Sequence, residues 1–338
     1  MTTWLVAGGA GYIGAHVVRS LQAAGAQPVV LDDLSTGDPL RVGVPLIKGD
    51  IADTELVVDT LRRYQVAGVI QLAADKQVEQ SMRQPLTYYR RNVVNLLQLL
   101  TAMQEVGVAK LVFSSSAAVY GMIEGDDVRE SDETAPINPY GETKLIGEWL
   151  IQDQARAAGL RYAALRYFNV VGAGSSELAD HGRTNLVPMV LDAMRRKARP
   201  VIFGDDHPTP DGTCVRDYIH VSDLADAHVA AIGALAQPGA SHVLNVGCGR
   251  GYSVREVIDM VAQVSGHPLD PIVGDRRPGD PASVVANTDL ISATLGWRAR
   301  HDLRDMVRSA WEAELRTASL PSPAPSPDAS GSTSEGKR

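Results

Sequence analysis

The sequence predicts an α/β protein: a doubly wound parallel sheet, with a smaller α/β lobe in the C-terminal half. Three observations carry that reading. Over the first 170 residues, short apolar runs alternate with longer helix-period stretches, and strand–helix–strand units joined by right-handed crossovers build parallel sheets. The apolar runs are nearly continuous, as expected of strands covered by helices on both faces. A glycine-rich turn follows the first run and opens the first helical stretch. At 338 residues the chain has room for two domains of about 150 residues.

Strand candidates cover 4–7 (Trp4-Leu5-Val6-Ala7), 28–31, 45–47, 68–73, 110–114 and 162–167. Helical patterns lie between them at 13–24, 54–64, 85–106 and 140–158. Beyond 170 the alternation loosens and Gly, Pro and Asp punctuation rises, as in 204–212. Such loops fit a lobe that closes over a ligand at the carboxyl ends of the strands. Residues 219–235 read as a strand end, an N-cap at Ser222 and a helix. The expected division is therefore 1–175 together with 215–237, then a lobe over 176–316. From 317 the chain is rich in Ser, Pro and Ala without apolar periodicity, which predicts a disordered tail over 317–338.

Composition narrows the partners. With 32 Lys and Arg against 40 Asp and Glu, the net charge is −8, which disfavours nucleic acid and anionic membrane but leaves room for a local basic pocket. Two cysteines, Cys214 and Cys248, are too few for a disulfide framework or a cysteine zinc site. No apolar run approaches the ~18 residues of a membrane span, and the N-terminus has no secretory pattern. The expectation is a soluble cytoplasmic protein. The eight histidines lack metal-ligand spacing and read as structural or surface groups, so no metal is expected. The four tryptophans, including Trp149, read as packing residues.

The turn Gly8-Gly9-Ala10-Gly11-Tyr12-Ile13-Gly14 has the properties of a Rossmann-like dinucleotide cradle. Gly8 permits the turn, Gly11 admits a pyrophosphate, and Gly14 allows close helix–strand packing. The helix start offers unpaired N–H groups to the anion. Asp32 ends the second strand about 20 residues on, placed to accept bonds from the ribose hydroxyls. A 2′-phosphate would meet the charges of Asp32 and Asp33, so NAD is favoured over NADP. Asp50 and Ile51, after the third strand, are placed against the adenine; Asp50 reads equally well as a helix N-cap.

The strand from Lys110 closes in Ser114-Ser115-Ser116-Ala117-Ala118-Val119-Tyr120-Gly121, and Pro139-Tyr140-Gly141-Glu142-Thr143-Lys144 follows. Tyr140 and Lys144 are four apart, on one face of a helix start. There the ammonium, with the nicotinamide cation, would stabilise Tyr140 phenolate and bring a phenol of ordinary pKa about 10 toward use as a base. Ser116 would bond the substrate oxygen.

The G-x-x-G-x-x-G spacing, the serine run and Tyr-x-x-x-Lys resemble the extended short-chain dehydrogenase/reductase superfamily. Leu31 to Leu34, Leu165-Arg166-Tyr167-Phe168-Asn169, 212–221 and Arg276-Arg277-Pro278-Gly279-Asp280 are similar, more narrowly, to the UDP-glucose 4-epimerase family. The resemblance covers roughly residues 3–315. It implies Tyr140 as base, Lys144 as its activator and a nicotinamide-ribose ligand, and Ser116 as proton relay. Leu72, Ala73, Ala74, Lys76 and Asn92 would line the cofactor, Lys76 would also meet the substrate, and Phe168 would flank the nicotinamide. Asn169 would bind the UDP-sugar. Asn185, Leu186, Arg216, Arg277 and Asp280 would hold uridine and diphosphate, and Val201-Ile202-Phe203 would pack on uracil. Guanidinium forks suit diphosphate, although Arg216 and Arg277 also read as surface ion pairs with Asp217 and Asp280. Val284, four residues past Asp280, would gate bulk at C2 of the sugar. Gln71, Arg91 and Cys214 depart from the family pattern, which bears on the preferred sugar more than on the reaction.

The resemblance implies an NAD-dependent isomerase that interconverts UDP-glucose and UDP-galactose, as a homodimer joined through helices near 93–103 and 145–151. Dehydratase and decarboxylase relatives carry an acid just after the strand-end serine, where this chain has Ala117-Ala118. A UDP-uronate or UDP-N-acetylhexosamine 4-epimerase, or a non-catalytic NAD-sensing protein, are the alternatives.

Overall fold

In a computed structural model, residues 2–123, 127–180, 182, 184–277 and 279–319 are described. The first six strands start within one residue of the apolar runs: β1 (Thr3–Ala7), β2 (Gln27–Asp32), β3 (Leu46–Lys48), β4 (Gly68–Gln71), β5 (Lys110–Ser116) and β6 (Arg161–Tyr167). The connecting helices are α1 (Tyr12–Ala23), α2 (Thr54–Arg63), α3 (Val78–Arg83), α4 (Pro85–Tyr88), α5 (Asn95–Val106) and α6 (Pro139–Ala158). All six strands are parallel. Successive residues face opposite layers: Trp4 and Val6 pack with α1, while Leu5 and Ala7 pack with Val57 of α2 and Leu99 of α5. Burying each large aliphatic side chain is worth roughly 1.5–3 kcal/mol, so these two layers hold the sheet. Strand order reverses across β1 and β4, which opens the crevice where ligands of such sheets bind.

The 85–106 stretch is not one α-helix. Between α4 and α5 the chain makes a π-helical turn over Tyr89–Val94, and that wider turn faces Asn92 into the protein. The second half contains β7 (Asn169–Val171), α7 (Leu186–Arg195), β8 (Val201–Phe203), β9 (Val215–His220), α8 (Val221–Ala234), β10 (Ser241–Val246), β11 (Gly251–Ser253) and α9 (Val254–Ser265). It ends with β12 (Ile272–Gly274), β13 (Ser283–Val284), α10 (Asp289–Leu295) and α11 (Leu303–Ser319). β9 is flanked by β11 and β13 and also pairs β7, while β8 pairs β12. Val187 and Val190 of α7, Val257 and Ile258 of α9, and Met306 and Val307 of α11 form a separate core there.

Several expectations are corrected. α8 is capped by His220, whose ring Nδ1 accepts from the Ser222 backbone, not by Ser222. Its residues Leu224, Ala227 and Ala231 pack in the core of α1. β10, inside the 176–316 segment, is a strand of the large sheet beside β6, because Leu244 and Val246 complete that sheet's core. α11 continues through Ser319, so the expected tail starts as helix; the rest of that expectation, 320–338, lies outside the described residues. Trp149 is 53% exposed and is not a packing residue, whereas Trp4 and Trp297 are buried. Among the described residues no helix is long and apolar enough to cross a membrane.

Candidate active site

The glycine turn has the shape a dinucleotide needs. Gly8 has φ +83°, and a Cβ there would stand 2.7 Å from the Ala73 nitrogen; at Gly14 it would stand 2.1 Å from the Gly8 carbonyl. No other residue fits either place. At Gly11 nothing lies closer than 3.4 Å to that position. α1 begins there with no side-chain cap and no acid in its first turn, leaving its N–H groups for an anion. Tyr12, expected among the cofactor ligands, turns its hydroxyl away to the Gly172 carbonyl, so only its backbone faces the turn.

Asp32 ends β2 at the sheet's carboxyl edge. Its two oxygens accept from Ala10 N and Leu34 N, each at 2.9 Å, and burial raises its pKa. Asp33 is exposed and accepts from Ser35. Asp50 is not a helix cap: it accepts from Ala52 N and Asn95 Nδ2, and Asp53 caps α2. Ile51 is buried beside it. Gln71 clasps Ala73 at both backbone groups, at 3.1 and 2.9 Å, which fixes the Leu72-Ala73-Ala74 bend and gives the departure at 71 a structural role. Asn92, expected on the cofactor, uses both amide protons inside the protein, on the Asp75 carbonyl and Thr143 Oγ1, and accepts from Asp75 N. It braces the loop that carries exposed Lys76 against α6. These cradles fit NAD.

Ser116 ends β5, and its hydroxyl accepts from Ala118 N at 3.2 Å. Tyr140 and Lys144 are both buried on α6, which Asn138 caps. Burial raises the Tyr140 phenol, and its hydrogen bond to Ser116 offsets only part of this. Burial pushes Lys144 down to about 8. Its Nζ donates to the Ser114 carbonyl at 2.8 Å and lies 5.9 Å from the Tyr140 ring centre. The expected stabilisation of Tyr140 phenolate calls on the nicotinamide cation as well as on Lys144, whose Nζ is held by the Ser114 carbonyl. Tyr167, quoted in the sequence only as part of the Leu165–Asn169 run, is half-buried, close enough to Tyr140 for the two phenols to interact electrostatically, and bonds Ser114.

Phe168 packs with Val119, Tyr120, Leu145 and Val284. The β9–β13 pairing sets Val284 opposite Arg216, so that wall and the arginine share an edge. Arg216 pairs with Asp280 and donates to the Val215 carbonyl. The alternative pairing with Asp217 does not form: Asp217 is buried, accepts from Cys248, Gly249 and Ala286, and has a pKa raised to about 7 by burial. Arg277 stacks 4.0 Å over Phe203, with Val201 at the other end of β8. Asn185 donates to Asp180, Leu186 opens α7, and Asn169 is exposed at the start of β7, bonded to Tyr218.

The profile of the NAD dependent epimerase/dehydratase family matches residues 4–247. A UDP-glucose 4-epimerase of Azospirillum brasilense is 47% identical over 337 residues, 97% of each chain. The crystal structure of the Stenotrophomonas maltophila UDP-glucose-4-epimerase with bound NAD and formylated UDP-arabinopyranose superposes with a TM-score of 0.91 at 39% identity, over 94% of this chain and 99% of that one. The UDP-glucose 4-epimerase of Brucella ovis in complex with NAD gives 0.90 at 40% identity, over 93% and 99%.

Proposed function

The chain belongs to the NAD dependent epimerase/dehydratase family, and from that premise we propose that it is a UDP-hexose 4-epimerase, interconverting UDP-glucose and UDP-galactose through a 4-keto sugar. The observation that carries the reading is the buried group Ser116, Tyr140 and Lys144 at the end of β5, followed by Ala117-Ala118 where water expulsion or decarboxylation would need an acid. NAD, when bound, supplies reversible acceptance of a hydride and a ring cation that favours phenolate.

The chain's own residues do the rest. Tyr140 takes the O4 proton, Ser116 relays it by its bond to the phenol, and the buried surroundings of both keep water from the keto group. Arg216, Arg277, Asn185 and Asp280 together hold the uridine and its diphosphate, the arginines facing the phosphates, while apolar Val284 and Phe168 give the sugar few fixed polar contacts. A tightly held UDP and a loosely held hexose let the keto sugar turn and present its other face. Outside the catalytic centre, the exposed apolar side chains of Val94 and Leu97 on the π turn and α5 and of Trp149 on α6 support a homodimer through these helices. Light scattering should give twice the chain mass; a monomer mass would overturn the dimer. The free thiols of Cys214 and Cys248 fit a cytoplasmic setting.

Purified protein given UDP-galactose and no added nucleotide should form UDP-glucose. The nucleotide released on denaturation should be NAD, since Asp32 and Asp33 oppose a 2′-phosphate. An inert protein that still releases NAD would favour the sensing alternative, and release of mainly NADP would overturn the role of Asp32.

A further inference from the structure

We propose that Glu148 is a positioning residue for this reaction: by clasping Ser115 and Arg166 together, it keeps the helix bearing Tyr140 and Lys144 in register with the strand bearing Ser116. The role rests on the epimerase reading above. Glu148 follows Lys144 by four residues and Tyr140 by eight, along one side of α6. Ser115, next to the relay serine, donates its hydroxyl to Glu148 Oε1. Arg166 lies opposite Ser115 in the β5–β6 register and forks onto the same carboxylate, Nε to Oε1 at 2.9 Å and Nη2 to Oε2 at 2.6 Å.

The chain of contacts continues to the wall of the sugar pocket. Arg166 Nη1 donates to the Tyr120 hydroxyl at 3.0 Å, which donates to Asn245 Oδ1 at 2.7 Å. Asn245 Nδ2 donates to the Val128 carbonyl, and Val128 N donates to the carbonyl of Val285, the residue after Val284. Glu148, Arg166, Ser115, Tyr120 and Asn245 are all buried. Against apolar residues of similar volume, a buried ion pair roughly breaks even in stability. What apolar packing cannot reproduce is the fixed geometry of a forked, charge-assisted pair. The Ser116–Tyr140 bond joins this strand to this helix, so a slip between them falls on the proton-transfer geometry, where a displacement of about 1 Å can cost about 10²-fold in rate.

The test compares Glu148→Gln and the double variant Glu148→Met with Arg166→Met against the parent, measuring kcat and KM for UDP-galactose, retained NAD and Tm. Glu148→Gln should keep its NAD and its KM and lose about 10- to 100-fold in kcat. The double variant, free of an orphaned charge, should recover Tm without recovering kcat. Parent-level kcat in Glu148→Gln, or kcat restored along with Tm in the double variant, would show a purely structural pair and overturn the proposal. A parent protein inert on UDP-galactose would take down the epimerase reading and this role with it, a result separable from any ratio between variants.

Discussion

Tyr140→Phe should bind UDP as the parent does and lose turnover by about 10²–10⁴-fold, the usual contribution of a positioned general base. The variant deletes one oxygen from a buried ring, and phenylalanine fills the same space. The grip on UDP is assigned to Arg216 and Arg277, whose contacts to Asp280 and Phe203 do not involve the phenol. The loss should therefore fall on kcat, with KM little changed. In the parent, burial raises the phenol, so the proton-accepting form becomes scarcer as pH falls and turnover should drop on the acid side. The variant should lack that limb. Calorimetric titration with UDP and steady-state rates across pH measure both; a variant with more than half of parent turnover would exclude Tyr140 as the base.

Val284→Tyr should cut activity on UDP-N-acetylgalactosamine by about 10–200-fold, the range of an apolar size filter, while sparing UDP-galactose. Val284 is buried in the cluster that holds Phe168, Tyr120 and Leu145, where a tyrosine is far bulkier than valine, and on the proposed reading that bulk is taken from the sugar's side. The parent has only a small apolar side chain there. It should accept the acetamido group, at lower efficiency than the plain hexose because valine offers it no hydrogen bond. Measuring kcat/KM for both substrates in both proteins decides the point. A parent inert on the N-acetyl sugar, or a variant that loses both activities equally, would show that Val284 is not the gate.

What was legible in the sequence was what local chemistry dictates. Gly8 and Gly14 stand where a Cβ would strike backbone, Asp32 must end its strand to receive Ala10 N, and Tyr140 and Lys144 share a helix face by spacing alone. Illegible were the features that arise from long-range partners. Asn92 and Tyr12 are residue types suited to a cofactor, but their polar atoms are taken by Asp75, Thr143 and Gly172. The π turn spans only Tyr89–Val94 between two α-helical stretches, and a helical pattern in sequence does not separate a single wider turn from the α-helix around it. Glu148 did leave a signal, its i+4 spacing from Lys144, but its meaning depended on Arg166, a strand away.

The edge position of β10 shapes how the protein must be made. β6 emerges from the ribosome well before β10, with α7, β8, β9 and α8 synthesised between them. During that interval the nascent sheet exposes a strand edge backed by Ala163 and Leu165, both fully buried once folding is complete. A pairing across such a long loop forms late, and an open apolar edge recruits other chains. Separating the first 175 residues as an independent polypeptide would therefore leave a strand without its neighbour. Such a fragment should tend to aggregation, and the helix that follows its glycine turn would lose the packing of Leu224, Ala227 and Ala231.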